Sequence, residues 1–176
     1  MQRPQQPLRH EILTWDDVEV LMDVLLGQLR EAGSFDALLI ITRGGIIPGG
    51  MIAEALDIRA VLTASVRFSG TADAKPLAAW PQFHQFPDDR LLKDQRTLII
   101  DDVWGSGRTS TAVRGRVEVA EGRPATCVLH FNPYRSLFTT ARPDYYGAVT
   151  DAWIIYPWEI DRDIDRASST SPAGPN

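Results

Sequence analysis

Residues 97–110, Thr97-Leu-Ile-Ile-Asp101-Asp102-Val-Trp-Gly105-Ser106-Gly107-Arg108-Thr109-Ser110, constrain this chain more than any other stretch. The apolar run 97–100 is short and unbroken, the pattern of a strand buried on both faces, and such strands belong to sheets that carry helices on either side. Two adjacent carboxylates end the run. A turn rich in glycine and hydroxyls then opens a helix over about 108–121, with Val113, Val117 and Ala120 inward and Gly122 as its stop.

The rest of the chain repeats that grammar. Thr14 reads as an N-cap with Asp17 in the first turn, and Trp15, Val18, Met22, Leu25 and Leu29 recur at helical spacing along a helix ending near Gly33. Residues 37–42 form a second buried run. Pro48 suits the first turn of a helix whose inner face is Met51, Ile52, Ala55 and Leu56. Strands are expected over 59–68, 126–131 and 152–156. The segment 69–95 holds Pro76, Pro81 and Pro87 and has no clear period, and its length suits a functional lid. Alternating strands and helices predict an α/β fold with an open, mainly parallel sheet flanked by helices. The 176 residues fit one domain, drawn here over 8–166, with 1–7 and 167–176 as aperiodic, disordered tails.

Charge and cysteine usage narrow the function. Eighteen Lys+Arg against 23 Asp+Glu leave a net charge of −5, which argues against a nucleic-acid binder that tracks phosphates with a basic face. Cys127 is the single cysteine, so neither an intrachain disulfide nor a cysteine-cluster metal site can form. No apolar run approaches the ~18 residues of a membrane span, and the N-terminus lacks a signal-peptide core. The expectation is a cytoplasmic protein with no membrane partner.

In open α/β sheets, ligands bind beyond the carboxyl ends of the strands. Free N–H groups at the helix start after Gly107, with the hydroxyls of Ser106, Thr109 and Ser110, can cradle a phosphate there. Asp101 and Asp102 cannot favour the same phosphate; carboxylates suit ribose hydroxyls or a hydrated Mg²⁺.

Residues 97–110 resemble the phosphoribosyl-pyrophosphate loop of type I phosphoribosyltransferases. Ile40-Ile41-Thr42-Arg43-Gly44-Gly45-Ile46-Ile47-Pro48 is similar to that family's pyrophosphate loop. There Arg43 offers a planar guanidinium to the leaving group, and Gly44 and Gly45 let backbone amides approach it. In relatives the peptide before the basic residue can be cis, which makes Thr42–Arg43 a cis candidate. Asp151-Ala-Trp153-Ile154-Ile155-Tyr156-Pro157-Trp158-Glu159 resembles the hood of the xanthine–guanine branch, mainly residues 132–160 here. The likeness implies that Trp153 stacks on a nucleobase and that the backbone at Ile154 reads its edge.

The resemblance implies transfer of ribose 5-phosphate from phosphoribosyl pyrophosphate to a nucleobase, a purine, with pyrophosphate released. Asp101, Asp102 and Arg43 are the implied catalytic residues. Gly44, Gly45, Gly105, Ser106, Gly107, Arg108, Thr109 and Ser110 would bind phosphates, and Asn132, Trp153 and Ile154 the base. Mg²⁺ would sit near Asp101 and Asp102, directly or through water, in a homo-oligomer of two or more chains. The alternative is a module that senses phosphoribosyl pyrophosphate or a nucleotide without turnover.

Two positions depart from the family. Purine-using relatives usually carry an acid where Gly105 stands, beside an unusually large Trp104, and a lysine where Asn132 precedes Pro133. An amide both donates and accepts, so Asn132 can read a base edge with a different preference. Trp158, His130 and Cys127 read as packing residues, His84 as a solvated or packed one, and Asp161, Asp163 and Asp165 as part of a solvated terminus.

Overall fold

Residues 9–69 and 80–159 are described by a computed structural model. In chain order the elements are β1 (His10–Ile12), α1 (Trp15–Ala32), β2 (Ala37–Ile41), α2 (Ile46–Ala55), β3 (Val61–Ser69), β4 (Trp80–Gln85), β5 (Arg96–Trp104), α3 (Arg108–Val119), β6 (Arg123–Phe131), β7 (Tyr145–Val149) and β8 (Trp153–Ile155). Six strands form one sheet in the order β4-β3-β2-β5-β6-β7. Every neighbouring pair in it is parallel except β3 with β4. The expected mainly parallel α/β sheet is what the chain forms.

The unbroken apolar runs are explained by alternation of side chains between two covered faces. Leu38, Leu98, Ile100, Cys127 and Leu129 pack on one face with Val18, Leu21, Met22, Leu25 and Leu29 of α1 and with Ile52 of α2. Leu39, Ile41 and Ile99 point the other way, onto Val113 and Val117 of α3. Helix α1 is closed at its start by a full capping box. The Thr14 Oγ1 accepts from the Asp17 N–H at 3.2 Å, and the Asp17 carboxylate accepts from the Thr14 N–H at 2.8 Å.

Several expectations need correction. Trp15, placed on the inner face of α1, is half-exposed, because it lies in the first turn and meets Trp158 rather than the sheet. Ala55, expected inward, is exposed at the last turn of α2. The stretch 152–156 is not a fifth strand of the main sheet. Its core, β8, pairs in parallel with the unforeseen β1, as a separate two-stranded sheet. The edge of the main sheet is instead β7, which falls inside the segment assigned to the hood. The aperiodic segment 69–95 contains β4, antiparallel to β3, and a short 3₁₀ turn at Asp89–Leu91. Alternation of Phe83 with exposed neighbours is the period-2 signal that Pro81 obscured. Residues 70–79, with Lys75, lie outside the described residues, as do the expected tails and the acidic run 161–165.

The order of strands fixes where a ligand can bind. From β2 the chain moves outward to β3, then returns to place β5 on the other side of β2 and continues to β6. A crevice opens at such a reversal, beyond the carboxyl ends of the two central strands. The register Leu38↔Leu98, Leu39↔Ile99 and Ile40↔Ile100 brings both strands to that edge together. The turn after β2 and the carboxylates of β5 therefore meet.

Close approach of the two loops depends on Gly45, the N-cap of α2. A Cβ there would collide with the Ile100 carbonyl, whereas one at Gly105 would meet nothing within 4 Å. Gly45→Ala is expected to lower stability by about 1–3 kcal/mol. Gly105→Ala should stay within about 0.5 kcal/mol of the parent. Urea unfolding of the two variants measures the contrast.

Candidate active site

Two cavities meet at the carboxyl edge of β2 and β5. One, of about 470 Å³, is lined by Arg43, Gly44, Ile46 and Ile47 from the β2–α2 turn, together with Asp102, Trp158 and Glu159. The other, of about 450 Å³, is lined by Asp101, Asp102, Gly105 and Ser106 from β5 and its loop, and by Asn132, Arg135, Trp153, Ile154, Tyr156 and Glu159 across from them. Asp102 and Glu159 border both.

The β2–α2 turn is shaped for backbone contact. The Thr42–Arg43 peptide is cis. Gly44 lies so close to Asp102 that a Cβ would come within 2.5 Å of its carboxylate. Neither α2 nor α3 has a side-chain cap at its N-terminus, and neither carries an acid in its first turn. Both have glycine N-caps, Gly45 and Gly107. The contrast with the capped, acidic start of α1 is physical: the glycine N-caps of α2 and α3 bring no side-chain acceptor and no acid stands in either first turn, which favours an anion there.

Gly107 has φ +78°, a left-handed conformation, and a Cβ there would strike the Trp104 indole. That explains Trp104. It is 2% exposed and forms the floor under the loop, edge-on to Phe131. A side chain at Gly107 breaks this packing before any anion contact is at stake. Gly105 and Ser106 face the second cavity, while Gly107, Arg108, Thr109 and Ser110 line neither, and Ser110 is buried. The Ser106 Oγ accepts from the Arg108 N–H at 3.4 Å.

The two carboxylates are held by backbone. Asp101 accepts from the Asp102 N–H at 3.1 Å, and Asp102 from the Val103 N–H at 2.6 Å. Burial, then the neighbouring Asp102 charge, pushes the Asp101 carboxyl well above the usual range. Burial also raises Asp102, with Glu159 adding to it and the Val103 hydrogen bond opposing. Such a pair gains from a cation or from hydroxyl donors beside it.

The far wall comes from the small β1·β8 sheet. Trp153 is half-exposed and Ile154 is buried, with the Trp153 N–H bonded to the Arg9 carbonyl at 2.7 Å. Tyr156 ties this wall to β5. Its hydroxyl donates to the Asp102 carbonyl at 2.9 Å and lies 2.9 Å from His130 Nδ1. A phenol has one proton, and a carbonyl can only accept, so the proton between the two rings belongs to His130 Nδ1. His130 is thus a neutral donor, and burial lowers its pKa to about 4. Trp158 stacks flat on Tyr156 with centroids 4.6 Å apart. It packs, as expected, and also borders the Arg43 cavity.

Asn132 lines the second cavity but is itself buried. Its Oδ1 accepts from the Arg135 N–H at 3.2 Å, and its Nδ2 donates to the Ala152 carbonyl at 3.4 Å. Arg135, Tyr156 and Glu159 were not singled out from the sequence. Glu159 carries the one readable signal, an acid three residues beyond the end of a strand. Its carboxylate accepts from the Tyr156 N–H at 2.9 Å.

Known proteins share the family and fold of this chain. The model of the family "Phosphoribosyl transferase domain" matches residues 9–141. A xanthine-guanine phosphoribosyltransferase of Roseobacter denitrificans is 32% identical over 174 residues, covering 90% of this chain and 92% of the relative. A purine phosphoribosyltransferase of Pyrococcus horikoshii superposes with a TM-score of 0.71 at 30% identity, over 85% of this chain and 94% of that one. A xanthine-guanine-hypoxanthine phosphoribosyltransferase of Helicobacter pylori has the same fold, with a TM-score of 0.71 at 16% identity over 92% and 99% of the two chains.

The His130 ring supplies a test of the buried bridge. Above pH 6.5, the ordinary histidine value, the ring is neutral folded or unfolded. Between 6.5 and about 4 only the unfolded chain takes the proton, so this group withdraws stability as pH falls, by on the order of 3 kcal/mol. Asp101 and Asp102, raised rather than lowered, act with the opposite sign. NMR titration of the ring separates them: His130 should stay neutral to about pH 4 in the native protein, and Tyr156→Phe should cost about 1–3 kcal/mol by leaving its buried partners unpaired.

Proposed function

We propose a division of labour for this chain, which belongs to the phosphoribosyltransferase family and moves ribose 5-phosphate from phosphoribosyl pyrophosphate to a nucleobase, releasing pyrophosphate. The cavity around Arg43 takes the pyrophosphate, and the cavity walled by Trp153 takes a purine. The observation that carries this assignment is that Asp102 borders both cavities. Ribose C1, which trades one for the other, belongs above it.

In the reaction a base ring nitrogen forms a bond to C1 as the C1–oxygen bond breaks, the electron pair leaves with pyrophosphate, and the ring proton of the base passes to water, since Gly105 offers no carboxylate to take it. The centre inverts. Charge grows on the leaving oxygen, where Arg43 and the open first turn of α2 can stabilise it. Asp101 and Asp102 accept from the ribose hydroxyls and stand near the cationic sugar of the transition state. Trp153 holds the base plane, and the Ile154 backbone reads its edge. Gly107, Arg108, Thr109 and Ser110 receive the 5-phosphate through backbone donors at the start of α3, together with the Thr109 hydroxyl; the buried Ser110 contributes its N–H.

A hydrated Mg²⁺ fits this donor set. Among the described residues no group of three or more His, Cys, Asp or Glu side chains gathers to cage a metal. Two adjacent carboxylates suit an ion that keeps its waters and takes its other ligands from substrate oxygens. Asp101 and Asp102 would hold it, and when bound it offsets charge on the departing pyrophosphate.

Asp101→Asn and Asp102→Asn should keep the fold and lower turnover at least ~10²-fold, and Arg43→Ala should cost about 10²–10³-fold in kcat. Pyrophosphate release with hypoxanthine, guanine and xanthine measures all three; wild-type rates in both aspartate variants would remove the sugar from this position. The open space at Gly105 makes a further test. Gly105 lines the base cavity and a Cβ there meets nothing within 4 Å, so Gly105→Asp adds a carboxylate at the edge of that cavity without displacing a neighbour at Cβ. It should raise kcat with those bases about tenfold or more by taking the ring proton.

A further inference from the structure

Most polar side chains around the base cavity are already committed or can only accept; the Ser106 hydroxyl, which accepts from the Arg108 N–H, keeps one proton but offers no paired donors. Asn132 uses its oxygen and one amide hydrogen on backbone. The Tyr156 proton is committed to the Asp102 carbonyl. Asp101, Asp102 and Glu159 can only accept when ionised. Among the residues that line the cavity, the single cation is Arg135. Its guanidinium carbon lies 5.2 Å from the centroid of the half-exposed Trp153 ring.

We propose that Arg135 selects the base: its guanidinium moves to the rim of a base stacked on Trp153 and donates two parallel N–H bonds to adjacent oxygen and nitrogen acceptors of a 6-oxopurine. The proposal rests on the purine-transfer reading above. Stacked rings lie with centroids 4.5–7 Å apart, and the guanidinium already occupies that layer at 5.2 Å. A base and Arg135 cannot share it, so the side chain swings aside. The Asn132 bond to the Arg135 N–H fixes the pivot at the cavity rim, which keeps the fork beside the base.

The chemistry of the edge then decides. A 6-oxopurine bound through its nucleotide nitrogen shows an oxo group beside an unprotonated ring nitrogen, two acceptors at the spacing of the guanidinium fork. A 6-aminopurine shows a donor beside an acceptor, and its amino group would face the cation.

The nucleotides IMP and AMP separate recognition from turnover. Calorimetry should show IMP bound more tightly than AMP by the wild-type protein. Arg135→Ala should weaken IMP about tenfold or more, change AMP less than about twofold, and leave the KM for phosphoribosyl pyrophosphate unaltered. Arg135→Lys keeps the charge without the fork and should restore only part of the IMP affinity. Equal losses for both nucleotides, or a wild-type preference for AMP, would overturn the proposal. Absence of pyrophosphate release with every purine base, alongside intact IMP selectivity through Arg135, would instead overturn the transfer reading and leave Arg135 as the specificity residue of a binding site.

Discussion

Parallel pairing of β2 with β5 is the contact on which the site depends. Each strand alone ends in a loop with an incomplete set of groups. The turn after β2 supplies a guanidinium and close-packed glycines, and β5 supplies two carboxylates. The register that sets Ile40 opposite Ile100 brings these ends level, and the absence of a Cβ at Gly44 and Gly45 lets the backbone of one loop rest on the other. Burial of both strands on both faces makes the register stiff, because a slip of one residue would turn every apolar side chain to the wrong helix layer.

A second tie completes the arrangement. The Tyr156 hydroxyl spans from the wall beside β8 to the Asp102 carbonyl, and the neutral His130 ring feeds its remaining lone pair. The wall that carries Trp153 is therefore referenced to the same residue that borders the Arg43 cavity. Under the proposed function, a base held by that wall and a leaving group held by the opposite turn share one fixed point. Holding reactants at a set separation is a large part of what such a site can contribute to rate.

What was legible in the sequence was local. The apolar run 97–100, the two acids and the glycine turn placed β5 and α3, and the Thr14 and Asp17 pattern placed the start of α1 with its capping box. Glycine and missing acids at the starts of α2 and α3 were likewise visible. Pairings distant along the chain were not. β1 is three residues long and gains strand structure from contact with β8; β7 follows a stretch without period. Tyr156 meets His130 and Asp102, 26 and 54 positions away, and Arg135 meets Asn132, 3 positions away; no residue pattern encodes the longer two. Asn132 shows what the sequence leaves out about a residue it does point to: the amide lines the base cavity, yet burial turns most of its hydrogen-bonding capacity to backbone.

An acidic chain that binds a highly charged phosphate ester needs a local solution. In the proposed reading its anion donors are chiefly backbone: the first-turn N–H groups of two helices whose glycine N-caps bring no side-chain acceptor. Arg43 adds one cation to the first cavity and Arg135 one to the second. Backbone dipoles cost no side-chain ordering and create no long-range positive field. The net charge of −5 therefore does not conflict with the ligand. The carboxylates raised by burial at Asp101 and Asp102 are the counterpart: in the proposed reading, a pair that is poorly solvated in the protein has most to gain from the hydroxyls of phosphoribosyl pyrophosphate and a hydrated cation beside them, which would couple recognition of the sugar to recognition of its phosphates.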